Sequence, residues 1–228
     1  MSDLINFYTD NAGLLVDKTL EHIVISAIGL VLALVIALPL GVLLGHRHTG
    51  SFIAISVSNV LRALPSLALI AISLAFIGLS RANITIALIA LAVPPVLTNA
   101  YTAVDQVDPD AVEAARGMGM SESQVLRVVE LPLSWPLIFA GIRTASVYVI
   151  ATAPLAALAG GGGLGDIIVN QATYGLAGVI AATIVAVALA FAVDGLLGLV
   201  QRRLTPRGLV VPKELSTIVP PVEQEVVA

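Results

Sequence analysis

Cysteine is absent from the 228 residues, which excludes disulfides, thiolate metal sites and a cysteine nucleophile and leaves the redox compartment open. Charge is scarce as well: 11% of residues are Asp, Glu, Lys or Arg, against about 25% in soluble domains. A surface so poor in charge must face something other than water. Aromatic residues make up 4%, too few to enclose a cationic ligand in a cage of rings. No basic stripe is present and the formal net charge is −4, so nothing marks nucleic acid as a partner. The N-terminus carries acids where a cleavable signal would carry a basic region. Residues 1–21 are read instead as a short amphipathic helix at the membrane surface.

What the chain has in abundance is apolar surface, with 58% hydrophobic residues and a mean hydropathy of +1.01. Backbone polar groups in lipid must be satisfied internally, so the expectation is an all-α integral membrane protein. Apolar runs at 23–45, 63–79, 84–104, 137–159 and 176–200 give five spans, each close to the roughly 20 residues that cross a bilayer. The membrane domain is placed at 22–203 and a flexible cytoplasmic tail at 204–228. Lys and Arg set the orientation. Arg47, Arg116, Arg127, Arg202, Arg203, Arg207 and Lys213 fall on one side, and only Lys18 and Arg81 on the other. The N-terminus is therefore expected outside and the C-terminus in the cytoplasm. Prolines at Pro39, Pro65, Pro94, Pro95 and Pro154 predict kinks within spans.

One polar stretch interrupts the pattern. Between the third and fourth spans, Asp108 and Pro109 read as an N-cap and first helical position. A helix from 109 to about 116 ends at Gly117 and Gly119. Ser121 and Gln124 make a capping box for a second helix, predicted to stop before Pro132. Ala111, Val112 and Ala115 line one face of the first helix, and Val125, Val128 and Val129 one side of the second. An apolar stripe in a water-exposed loop needs a cover, which points to a partner.

The spacing within this loop is specific. Glu113, Ala114 and Ala115 precede Arg116, Gly117 and Met118; Gly119 follows, then nine residues, Val129, one residue, Leu131 and Pro132. The pattern resembles the cytoplasmic EAA signature of the membrane subunits of binding-protein-dependent ABC importers, with Val129 in place of isoleucine as the one departure. The stretches "LPSLALIAISLAFIGL" and "AALAGGGGLGDIIVNQ" look like permeases for glycine betaine, carnitine and choline. The similarity covers roughly 20–205.

The resemblance implies a five-span permease core with cytoplasmic coupling helices in a loop at 108–131. It also implies a plasma-membrane location, two ATP-binding cassette subunits, a second permease copy and an extracytoplasmic solute-binding protein that selects the solute. ATP and Mg²⁺ then belong to the partner ATPase, and this chain binds no cofactor and is no enzyme. Glu113, Ala114, Ala115, Arg116, Gly117, Met118, Gly119, Leu131 and Pro132 are the expected coupling residues. An importer for another small solute, or an ion-coupled secondary transporter, stands as the alternative.

Other motifs carry less. "GGGGLGD" at 160–166 has glycines at dinucleotide-site spacing but follows a span rather than a strand, and Asp166 stands where a P-loop would have lysine; it reads as an outer turn. His46 and His48 bracket Arg47 in what reads as a solvated inner loop. Asp105, Asp108, Asp110 and Glu113 lack calcium-loop spacing and lie at a helix start, where acids favour the dipole. Arg62, Arg143 and Asp194 are charges within spans, read as snorkelling or paired.

Overall fold

The computed structural model describes residues 2–205, and all of its regular structure is helical. The tail lies outside the described residues from 206 onward. Helix α1, Ser2–Asp10, is followed by α2, Ala12–His46; the bent pair α3, Ser51–Ala63, and α4, Ser66–Ile77; and α5, Arg81–Asp105. The polar loop forms α6, Pro109–Gly117, and the single turn α7, Glu122–Gln124. A π-helical turn at Val125–Glu130 leads into α8, Leu131–Thr152, which tightens to 3₁₀ at Ala153–Ala159. The short α9, Gly165–Val169, and the long α10, Gln171–Leu204, complete the chain.

Four helical runs among the described residues are long and apolar enough to cross a membrane, and the bent pair, counted as one broken span, makes a fifth. Its two halves meet at 91°, because Leu64 precedes Pro65 and is held extended (φ −77°, ψ 124°), as the proline ring requires. At 12 residues, α4 is about 18 Å long and cannot cross a hydrocarbon core of about 30 Å alone. Ser58 on α3 offers its hydroxyl to the Pro94 carbonyl and receives one from Thr98 at 2.9 Å, so the proline-bearing stretch of α5 has polar partners from its neighbour.

The centre of the fold is the crossing of α2 and α5. On α2, Gly29, Ala33, Ala37, Gly41 and Gly45 are all buried in one ridge. Small residues at this spacing let helix backbones approach, which is what drives association where no water can. A Cβ on Gly41 would lie 2.7 Å from that of Ala100, and one on Gly45 would lie 2.7 Å from the Tyr101 carbonyl oxygen. The opposite face of α2 carries exposed Val24, Val31 and Val35, a surface for lipid.

The N-terminal helix packs on α10. Phe7 and Tyr8 join Leu15, Leu164, Ile167 and Ala182 in one cluster, and the Tyr8 hydroxyl donates to the Ala181 carbonyl at 3.1 Å. Inside α10, Gly175 adopts φ 66°, ψ 178°. This break separates a first turn from the span proper, which begins at 176 as the hydropathy pattern predicts.

Candidate functional site

The polar loop folds as a two-helix foot. The Asp108 side chain accepts from the Asp110 amide at 3.0 Å, with Pro109 in the first turn. Gly119 has φ 84°, and the amide of Met120 returns to the Ala115 carbonyl at 3.2 Å, so the chain reverses in a left-handed turn. The Ser121 amide donates to Gln124 Oε1 at 2.8 Å within an intact capping box. Arg116 spans the turn with two parallel bonds to Glu122, each 3.0 Å. Those bonds raise the Arg116 guanidinium above its ordinary value. The pair lies in water and adds orientation more than stability.

The apolar stripe has its cover within the foot itself, contrary to expectation. Val112, Ala115 and Val125 form a buried cluster flanked by Val107, Met120 and Val129. Val128 points away and is 59% exposed. Exposed on α6 are Pro109, Asp110, Glu113, Ala114, Arg116 and Gly117, and Met118 at its C-cap is 73% exposed. Of the expected site residues, Ala115 therefore lies inside the foot and Gly119 forms its hinge.

Leu131 and Pro132 are not on the foot's surface, and the second helix does not stop before Pro132. The helical run continues from Glu122 to Ala159. Proline within an α-helix removes one bond and presses on the carbonyl four residues earlier. Here the wider π turn at Val125–Glu130 precedes it, giving the ring room and joining foot to span without a break. Leu131 packs with Ala100, Ala103 and Ile138, and Ser134 donates to the Ala103 carbonyl at 2.8 Å.

The roles of two residues, Glu130 and His46, escaped the sequence reading. Glu130, the unspecified position before Leu131, is 1% exposed and lies 2.6 Å from His46 Nδ1. His46 also approaches Glu122 at 3.6 Å. The loop at 46–48 is thus not merely solvated: its histidine fastens the inner end of α2 to the foot, while His48 meets Asp105 at 2.9 Å. A glutamate surrounded by apolar residues at 125, 128, 129 and 131 was the available signal, since a buried carboxylate demands a partner.

At the other end of the bundle, Gly160, Gly162 and Gly163 all have positive φ. Glu21 accepts from the Gly163 amide at 3.0 Å, and Lys18 reaches Asp166 at 2.7 Å. The run is a turn clipped to α2, and its Gly163 amide already serves a carboxylate. His22, buried beside it, contacts the Ile150 carbonyl at 3.1 Å. Of the charges within spans, Arg143 and Asp194 join α8 to α10, and Arg62 lies exposed in the last turn of α3.

Residues 22–206 match the family described as "Binding-protein-dependent transport system inner membrane component". The chain belongs to this family. It is therefore a membrane permease component rather than an enzyme. This permease is 39% identical over 221 residues to the choline transport system permease protein OpuBB of Bacillus subtilis, covering 95% of this chain and 100% of that one. It is 38% identical, with the same 95% and 100% coverage, to the glycine betaine/carnitine/choline transport system permease protein OpuCB of that organism. Among solved structures, an inward-facing MetNI methionine ABC transporter chain superposes with a TM-score of 0.73 at 23% identity, covering 86% of this permease and 98% of that chain. That likeness concerns the fold.

Proposed function

We propose that this permease is the membrane subunit of an ATP-driven importer for quaternary-ammonium osmoprotectants such as glycine betaine, carnitine or choline. The coupling half of the reading rests on one observation: a compact foot with its own core is fused through a π turn to α8 with no flexible joint. Displacement of such a foot is transmitted to the span. Glu113, Ala114, Gly117 and Met118 supply the face for a separate ATPase, with the two small residues permitting close approach. Ala115, Gly119, Leu131 and Pro132 keep that face in register with the bundle. ATP and Mg²⁺ are held by the ATPase. The relatives named for choline, carnitine and glycine betaine support the solute class.

In this reading the complex has two permease copies, two ATPase subunits and an extracytoplasmic solute-binding protein. It sits in the plasma membrane with the N-terminus outside. The test is uptake of labelled glycine betaine, carnitine and choline into vesicles holding the assembled complex. ATP-dependent uptake that survives an uncoupler is expected. Uptake that collapses with the ion gradient while ATP is intact would establish the secondary-transporter alternative, and ATP-driven uptake of none of the three would overturn the solute class. Met118→Arg should separate the ATPase from the permease on co-purification while leaving membrane insertion unchanged.

A further inference from the structure

Two charges within the spans of α8 and α10 meet in a forked pair. Arg143 donates from Nε to Asp194 Oδ1 at 2.9 Å and from one terminal nitrogen to Oδ2 at 2.8 Å. Its other terminal nitrogen donates to Gln201 Oε1 at 3.1 Å. In the spans 137–159 and 176–200, Arg143 and Asp194 each lie six residues from the inner end, about 9 Å at 1.5 Å per residue, so the pair sits within the membrane-spanning part of both helices, nearer their cytoplasmic ends. It is not enclosed: the two side chains are 34% and 35% exposed. Charged groups within a span face water or protein, since contact with lipid is costly.

Asp194 borders two cavities, and Arg143 the second of them. One, of about 520 Å³, is lined by Val147, Thr183, Val187, Phe191 and Asp194 among others. The second, of about 350 Å³, is lined by Arg143, Thr144, Val147, Tyr148 and Asp194. Asp194 thus opens onto both, with one outward ring on each side: Phe191 is 72% exposed and Tyr148 51%. Such a setting offers a carboxylate, a guanidinium and two π faces among walls that are apolar apart from Thr144 and Thr183.

We propose that Arg143, Asp194, Phe191 and Tyr148 form a two-ended subsite for the solute in transit. The quaternary ammonium group is taken between the Asp194 carboxylate and an aromatic face, and the carboxylate of a zwitterionic solute is taken by the Arg143 guanidinium. Without solute the two side chains neutralise each other, so neither is left as an unpaired charge in a low-dielectric wall. A zwitterion exchanges one ion pair for two with no change in net charge. Choline, lacking a carboxylate, uses only the Asp194 end. The proposal rests on the osmoprotectant reading above.

The discriminating measurement is the ratio of glycine betaine to choline uptake in vesicles holding the complete complex. Arg143→Gln should lower glycine betaine uptake about tenfold while choline uptake falls less than about threefold, shifting the ratio toward choline; tenfold corresponds to about 1.4 kcal/mol. Asp194→Asn should lower both. The charge swap of Arg143→Asp with Asp194→Arg keeps the bridge between α8 and α10, so full recovery of both uptakes at the wild-type ratio would reduce the pair to a structural bridge and overturn the subsite. An unchanged ratio in Arg143→Gln would do the same. Should the charge variants fail to assemble, Phe191→Leu and Tyr148→Leu leave the pair intact and are read instead: reduced uptake at normal expression supports the subsite, and unchanged uptake of both solutes overturns it. A wild-type complex that moves neither solute defeats the osmoprotectant reading first, which distinguishes the two failures.

Discussion

At the residue scale, two positions in the foot carry constraints of different kinds. Gly119 has open space around an added Cβ but a φ of 84°, so its constraint is backbone conformation rather than room. Gly119→Asn, which tolerates the left-handed region, should retain most ATP-dependent uptake. Gly119→Val should lose most of it, with strain of about 1–3 kcal/mol placed in the turn that aims α6. Uptake assays on the two variants at matched membrane expression check this contrast. Glu130 is constrained by burial. Removing its carboxylate in Glu130→Ala strands His46 at the inner end of α2 and should destabilise the detergent-extracted protein by about 2 kcal/mol, read as a lower apparent unfolding temperature. Glu130→Gln keeps an acceptor for His46 and should lose less.

At the scale of elements, the α2–α5 crossing is held by the absence of side chains. Gly45→Leu would place its Cβ on the Tyr101 carbonyl and the Val104 side chain, and neither belongs to a movable tip. Such overpacking costs about 1–3 kcal/mol or more, so the yield of folded protein should fall sharply. Gly195→Ala, with nothing near its added Cβ, should leave yield unchanged. Size-exclusion profiles of the two variants check the difference. The same scale explains why prolines had unequal effects. Pro65 breaks a helix because the residue before it turns extended, Pro154 opens a 3₁₀ segment, and Pro132 does neither because a π turn precedes it.

At the scale of the whole molecule, the proposed assembly makes the chain one wall of a larger passage. The absence of cysteine makes a single introduced thiol readable without background. Val187→Cys, on the lining of the cavity beside Asp194, should react with a charged, membrane-impermeant thiol reagent in the assembled complex, as labelling followed by mass spectrometry would show. A lipid-facing position would stay unreactive. Hydropathy, proline positions and the spacing from Glu113 to Pro132 made the helical class, the approximate spans, the capped foot and the family legible, because each depends on local periodicity or on a fixed run of residue types. The sequence did not reveal that Val112 and Ala115 turn inward to Val125, that His46 closes on Glu130, or that Asp194 borders two cavities and shares one of them with Arg143. Those contacts join residues from different helices, and the faces on which they meet are set by helix rotation and crossing, which only tertiary packing decides.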